Sequence, residues 1–343
     1  MTQQYSNRHS DIQDELKERV HFFPQPPAGF NPLTASPEER VHYGIPPQPD
    51  PEQHPLLTRF WTEMYSPRLV FVAPPSLLEF LPARISTELR VTTTARREAS
   101  LNWSGAYITP RHGQQLTEVH ATWELPLVAA PAGMPGSAEY RSSIWIGLDG
   151  QRRYFDSSLP QLGTAQFVNA PAPAQPFHTW CQWWLRDNQQ TYVPAILSVG
   201  VTPGQRVMAS LRVLNETQVH CIIANRTTGE ILPFTMDAPT DTSSGMQVKI
   251  SGATAEWVVE RPAEEYTGEL YELPNYGTVS FTNCFALSAE MPVGGVPGPG
   301  RERTLDGARL IRMYKIERNP SRTVTISKAE PPDVDHFETL YVT

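Results

Sequence analysis

Residues 254–260 read Thr-Ala-Glu-Trp-Val-Val-Glu, TAEWVVE in one-letter code. Side chains on a strand alternate between two faces, so Glu256, Val258 and Glu260 share one face while Trp257 and Val259 take the other. The same short alternating texture recurs from about residue 100 onward, in EVHATWELPL, SSIWIGLDG, FHTWCQWWL, QRVMASLRV, QVHCIIAN, TVSFTNCFAL and ARLIRMYKIE. Clusters of Gly, Pro, Asn, Asp and Thr separate these runs. Few stretches here read as helix. Many short strands without helical crossovers predict an all-β, antiparallel sandwich or barrel. A Gly/Pro-rich loop at 291–303, MPVGGVPGPGRER, reads as a mobile flap.

The first 95 residues have another texture. DELKERV at 14–20 and LLTRFWTEMYS at 56–66 show helical spacing of apolar positions. Ser36-Pro37-Glu38-Glu39 is a helix start, with Ser36 as N-cap and Glu39 closing a capping box. LLEFLPARISTELR at 77–90 predicts a further helix interrupted by Pro82. Pro-rich spacers, FFPQPPAGF and GIPPQPDPEQHP, lie between the pieces. The expected organisation is therefore an extension over residues 1–95, a prosegment or cap, followed by a β-domain over 96–343.

Composition narrows the function. Of 343 residues, 39% are hydrophobic and 19% charged, a globular balance. Net charge is 28 − 36 = −8, which argues against nucleic acid as a partner. No run of about 18 apolar residues suggests a membrane span. The N-terminus lacks the apolar core of a signal peptide, so a cytoplasmic protein, or one exported by a non-classical route, is expected. Cys181, Cys221 and Cys284 are too sparse for a disulfide framework. The sequons at Asn102, Asn215 and Asn225 read as chance matches.

The commonest catalytic signatures are absent: no zinc-binding His-Glu-x-x-His, no nucleophile elbow, no phosphate loop. Asp333-Val334-Asp335-His336 reads as an exposed charge cluster rather than a cation site, and no metal or cofactor is expected. Cys181 near His178 reads as a core cysteine rather than a thiol nucleophile. What remains are carboxylates and amides among aromatics. Asp149, in WIGLDG at 145–150, is by itself a turn aspartate. Gln161, in QLGT at 161–164, is by itself uninformative, and Glu256 alone fits a solvated strand face.

Taken in order, NWSGA (102–106), ATWELP (121–126), WIGLDG (145–150), QLGT (161–164), WCQWW (180–184), AEWVVE (255–260) and VSFTNC (279–284) resemble the glutamic peptidases, or eqolisins. The resemblance covers roughly residues 100–315, and the segment GFNPLTASPEERVHYGIPPQPD is similar to a leader found in relatives. It implies a two-sheet β-sandwich of the concanavalin A-like, jelly-roll kind. It also implies an acid endopeptidase acting on polypeptides without cofactor, as a monomer. Carried over motif by motif, the catalytic pair is Gln161 and Glu256. Trp145 and Asp149 flank it, and Trp103, Trp180, Gln182 and Trp184 join them as substrate-binding positions, with Trp183 grouped in the same aromatic wall. Departures from the family pattern are Gln182, where relatives carry a glutamate, the missing signal peptide and disulfides, and the 28 basic residues. These bear on the pH optimum more than on the pair.

The chemistry stands apart from the family name. Hydrolysis without a nucleophilic side chain needs a base to deprotonate water and a donor for the oxyanion. A glutamate supplies the first and a glutamine amide the second, at any pH. Two other readings stay open. One is a catalytically silent peptide- or carbohydrate-binding sandwich. The other is a glycosidase using Glu256 and Glu260, which an unbulged strand disfavours by separating them about 13 Å.

Overall fold

The computed structural model describes residues 13–66, 68–76, 78–81, 83–85, 90–94, 97–151, 158–169, 176–185, 193–241, 244–264, 267–291, 300–318 and 321–342. Most of the predicted flap at 291–303 lies outside them. Strands dominate. In the first third they are β1 (Val20–Phe22), β2 (Val70–Phe71), β3 (Arg90–Thr94), β4 (Arg97–Ser100), β5 (Trp103–Ile108) and β6 (Gln115–Glu124). The middle supplies β7 (Tyr140–Leu148), β8 (Leu159–Val168), β9 (Phe177–Trp184), β10 (Ala195–Leu197), β11 (Arg206–Asn215), β12 (Gln218–Asn225) and β13 (Glu230–Asp237). The last part adds β14 (Ala255–Glu260), β15 (Thr278–Ala289), β16 (Arg301–Arg303), β17 (Arg309–Arg318), β18 (Ser321–Ala329) and β19 (Phe337–Tyr341).

Pairing arranges them in two runs. The first is β10-β9-β8-β7-β14-β5-β17 and the second is β13-β12-β11-β6-β15-β19. Because β18 pairs with both β17 and β19, the two runs form one continuous hydrogen-bonded network. Almost all pairs are antiparallel, the exceptions being β2–β13 and β4–β17.

The main core takes side chains from both runs. Ile144, Ile146, Leu162, Cys181, Trp183, Trp257 and Val259 of the first meet Val119, Trp123, Leu211, Cys221, Ile223 and Phe234 of the second. The alternation read in TAEWVVE is realised: Trp257 and Val259 enter this core, and Val258 joins a separate cluster on the opposite face. Trp123, Trp183 and Trp257 are almost fully buried. Each removes about 150–250 Å² from water, worth up to about 4–6 kcal/mol at ~25 cal/mol/Å². Their indole N–H groups are satisfied as burial requires. Trp257 donates to the His120 carbonyl at 2.8 Å and Trp123 to Thr164 Oγ1 at 3.2 Å, both bonds crossing from one run to the other.

The N-terminal segment lies over both runs. Residues 13–19 are helical and β1 adds to β13, while helix α1 (Pro37–His42) carries the expected capping box between Ser36 and Glu39. Helix α2 (Pro55–Tyr65) presents Phe60, Trp61, Met64 and Tyr65, a stripe at helical spacing, to Met208, Ile222, Phe285 and Leu287 on the outer face of the second run.

The helix expected over 77–90 is not formed among its described residues. Its described residues are extended: Phe80 bridges Ala195 and Arg84 bridges Ala263. Pro82 disfavours helical geometry in the residue before it and offers no N–H. Two backbone edges meanwhile satisfy the segment: Leu81 N donates to Pro194 O at 2.9 Å, and Arg84 and Ala263 exchange bonds of 2.7 and 2.9 Å.

The three cysteines are buried free thiols. Burial pushes Cys181 up to about 12, which suits a core residue and not a nucleophile. Asn102 and Asn225 are fully buried. Among the described residues no helix is long and apolar enough to cross a membrane, and no grouping of three metal-ligating side chains occurs.

Candidate active site

Strand register builds the site. Glu256 lies opposite Gly147, Gly147 opposite Gln161, and Gln161 opposite Gln182. Directly opposed residues on neighbouring strands project to the same face, so these positions form one row across β14, β7, β8 and β9. Adjacent strands are about 4.8 Å apart, which separates the Glu256 and Gln161 backbones by about 10 Å. The residue between them has no side chain. A Cβ at Gly147 would sit 3.2 Å from Gln161 Cβ and 3.1 Å from the Pro160 carbonyl oxygen. Glycine therefore leaves a notch between a carboxylate and an amide.

Both flanking side chains are fully buried. Gln161 Nε2 donates to Gln182 Oε1 at 2.9 Å, while Gln161 Oε1 has no hydrogen-bond partner. Since an amide nitrogen carries two hydrogens, one N–H of Gln161 is held by Gln182 and the other remains available.

The next row along the same face is apolar and aromatic: Val258 opposite Trp145, Trp145 opposite Gly163, Gly163 opposite Trp180. Gly163 makes room here as well, because a Cβ would meet the Ile144 carbonyl at 2.1 Å and Trp145 Cβ at 2.5 Å. Trp103 packs edge-on against Trp145 with centroids 4.9 Å apart. Trp145 Nε1 donates to Glu260 Oε2 at 2.9 Å and Trp180 Nε1 to Ser143 Oγ at 3.0 Å. Trp184 packs against the same cluster.

Trp183 does not belong to this wall. It faces the opposite side of β9, enters the main core and donates to Ser158 Oγ at 2.9 Å. Period-2 alternation dictates this, since it separates Trp183 from Trp180, Gln182 and Trp184.

Asp149 lies beside the row rather than in it. Its carboxylate accepts from Ser251 N (2.7 Å), Ser251 Oγ (2.9 Å), Gly252 N (3.3 Å) and Ala253 N (2.7 Å). Its backbone N–H donates to the Thr254 carbonyl at 2.9 Å, and its φ is +65°, a conformation Asp tolerates better than most residues. Asp149 thus pins the loop that leads into β14 and to Glu256.

Two nearby residues, Tyr107 and Glu98, escaped sequence reasoning. Tyr107 lies opposite Glu256 on β5 and donates its hydroxyl to Glu98 Oε1 at 2.7 Å. Glu98 is buried, with Arg309 Nη1 3.5 Å away. Period-2 spacing from Trp103 marks Tyr107, but nothing local marks Glu98, which arrives from β4. Glu260, two positions beyond Val258 on the same face, is committed to Trp145 and to Asn102 Nδ2 at 3.4 Å.

This face is covered. Leu81 and Ile85 are almost fully buried and belong to the same cluster as Trp103, Tyr107, Trp145, Trp180 and Val258. The extended segment around them is tied at one end to β10 and at the other to residue 263, just beyond β14.

A sequence model described as the peptidase A4 family matches residues 101–331, about two-thirds of the chain and all of the strands that build the rows. The chain belongs to the peptidase A4 family. This glutamic peptidase is also similar in structure to scytalido-glutamic peptidase bound to a transition-state analogue inhibitor. That match has 18% identity, covers 70% of this chain and 98% of that one, and gives a TM-score of 0.52. A second complex of scytalido-glutamic peptidase, with a peptide-based transition-state analogue, matches at 17% identity over the same shares with a TM-score of 0.50. At such identities the likeness is one of fold. No curated protein matches the chain.

Proposed function

We propose that this glutamic peptidase is an acid endopeptidase working through Glu256 and Gln161 on one face of a two-layer β-sandwich. The observation that carries the reading is the row Glu256–Gly147–Gln161–Gln182, a carboxylate and an amide on either side of a glycine notch. A peptide carbonyl lying over Gly147 would be within reach of both. Glu256, ionised, takes a proton from water as the water attacks the carbonyl carbon. The free N–H of Gln161 then holds the developing oxyanion, and Glu256 returns the proton to the leaving nitrogen. A glutamate has an ordinary pKa of about 4.3, so a base of this type works in acid. The Trp103, Trp145 and Trp180 wall would seat substrate side chains, Gln182 would orient the Gln161 amide, and Asp149 would act through the position of β14.

We further propose that the domain boundary lies near residue 95 and that the strap around Leu81 and Ile85 keeps the full-length chain latent. The buried contacts of those two residues with the aromatic row support this.

The test is cleavage of an unfolded protein at about pH 2–5 by full-length and N-terminally trimmed protein. Glu256→Gln should abolish it, and Gln161→Ala should lower kcat by roughly 10²–10³-fold, the loss seen when one oxyanion donor is removed. Full activity in either variant would refute the pair.

A further inference from the structure

On the outer face of the second run, away from the rows described above, helix α2 and the proline-rich segment before it roof a cavity of about 320 Å³. That size falls at the lower end of small-molecule pockets, roughly 300–1,000 Å³. Phe60, Trp61, Met64, Ile222 and Leu287 make most of its lining apolar. Polar groups converge at its floor and one side: Glu118, His120, Ser210 and Arg212 from the sheet, His54 and Tyr65 from the roof.

The polar groups are not satisfied by one another. Glu118 Oε1 lies 3.1 Å from Arg212 Nε and Oε2 lies 3.3 Å from His120 Nε2, ion-pair contacts that still leave both nitrogens without a hydrogen-bond partner. Burial pulls Glu118 up, but Arg212 and His120 outweigh it and hold the carboxyl below its ordinary value. The pair with Glu118 engages the guanidinium through Nε, leaving the Nη fork for another partner. Tyr65 is 3% exposed and its hydroxyl, buried, has no hydrogen-bond partner. Burial raises its phenol well above the usual range, so it stays a neutral donor. His120 Nδ1 and His54 Nδ1 are likewise buried without a partner. Native interiors rarely leave several such groups unpaired around one space.

We infer that this cavity binds a small carboxylic acid with an apolar body. A guanidinium and a hydroxyl donor lining one cavity match a carboxylate head, and the aromatic and aliphatic walls match a tail that water leaves readily. A divalent cation does not fit: the wall carries one carboxylate, already engaged, and an arginine. The roof belongs to residues 46–65, so a bound acid would also fasten the N-terminal segment to the sheet. None of this depends on the catalytic assignment.

The experiment is calorimetric titration of the full chain with 3-phenylpropionate, with 3-phenylpropanamide and acetate as controls. Saturable binding of one 3-phenylpropionate per chain is expected, with the amide and acetate each at least tenfold weaker. Tyr65→Phe, which removes an atom that has no partner in the ligand-free protein, should leave the fold intact and weaken binding about fivefold or more. Arg212→Met should abolish binding but strands Glu118, so Tyr65→Phe is the deciding variant. Glu256→Gln should bind normally. Absence of saturable binding would overturn the inference. So would equal affinity for acid and amide, an unchanged affinity in Tyr65→Phe, or loss of binding in Glu256→Gln.

Discussion

Glu256 and Gln161 stand in one cross-strand row, two strands apart, with the side-chain-free Gly147 between them. A methyl group there would press on Gln161 Cβ at 3.2 Å and on Leu159 Cδ1 at 2.9 Å. Gly147→Ala is therefore expected to lower kcat/KM about tenfold or more, about 1.4 kcal/mol of transition-state stabilisation. The melting temperature should fall by only a few degrees. Steady-state cleavage of a fluorogenic peptide alongside calorimetry measures both; unchanged kcat/KM would mean the notch is not where the carbonyl binds.

Asp149 gathers four donors from residues 251–253 at a fully buried position. Removing the carboxylate strands the Gly252 and Ala253 N–H groups, at about 1–3 kcal/mol for each buried unsatisfied group before relaxation, while Ser251 is exposed and its donors can turn to water. Asp149→Ala should cost about 3 kcal/mol or more in denaturant unfolding and reduce activity through displacement of β14. A variant with wild-type stability and no activity would instead make Asp149 a substrate contact.

His220 sets a pH limit on the fold. Burial first, then Arg212, lowers it from 6.5 to about 4, against the pull of its bond to the Gly44 carbonyl and of Glu118. The unfolded chain takes up this proton near pH 6.5, the folded chain not until about pH 4. Unfolding thus binds a proton within that window, and stability falls as pH falls. The full contribution is present above pH 6.5, and about 3 kcal/mol is lost by about pH 4. In denaturant titrations between pH 7 and 4, His220→Gln should show a visibly shallower decline; an identical slope would assign the acid sensitivity to other groups.

The strap residues Leu81 and Ile85 each bury an aliphatic side chain, worth about 1.5–3 kcal/mol apiece. Changing both to Lys should loosen residues 78–85 and raise the initial rate of the full-length protein toward that of trimmed protein. Limited proteolysis should show earlier cleavage in that segment. If the variant only melts earlier and gains no activity, the strap is a structural cover and not a latch.

Alternation along a strand is a property of consecutive residues, and so the separation of Glu256 and Val258 from Trp257 and Val259 was legible in seven letters. So was the capping box at Ser36 and Glu39, a contact over three residues. The same rule would have moved Trp183 out of the aromatic wall. What consecutive residues cannot encode is which strand lies beside which, and in what register. That Gly147 falls between Glu256 and Gln161, and that Glu98 reaches Tyr107, are outcomes of pairing between segments distant in the chain. Pro82 and the apolar spacing at 77–90 pointed to a broken helix. The free edges of β10 and of residue 263 drew that segment into extended pairing instead, because backbone groups take the partners that tertiary contacts offer over weak local preference.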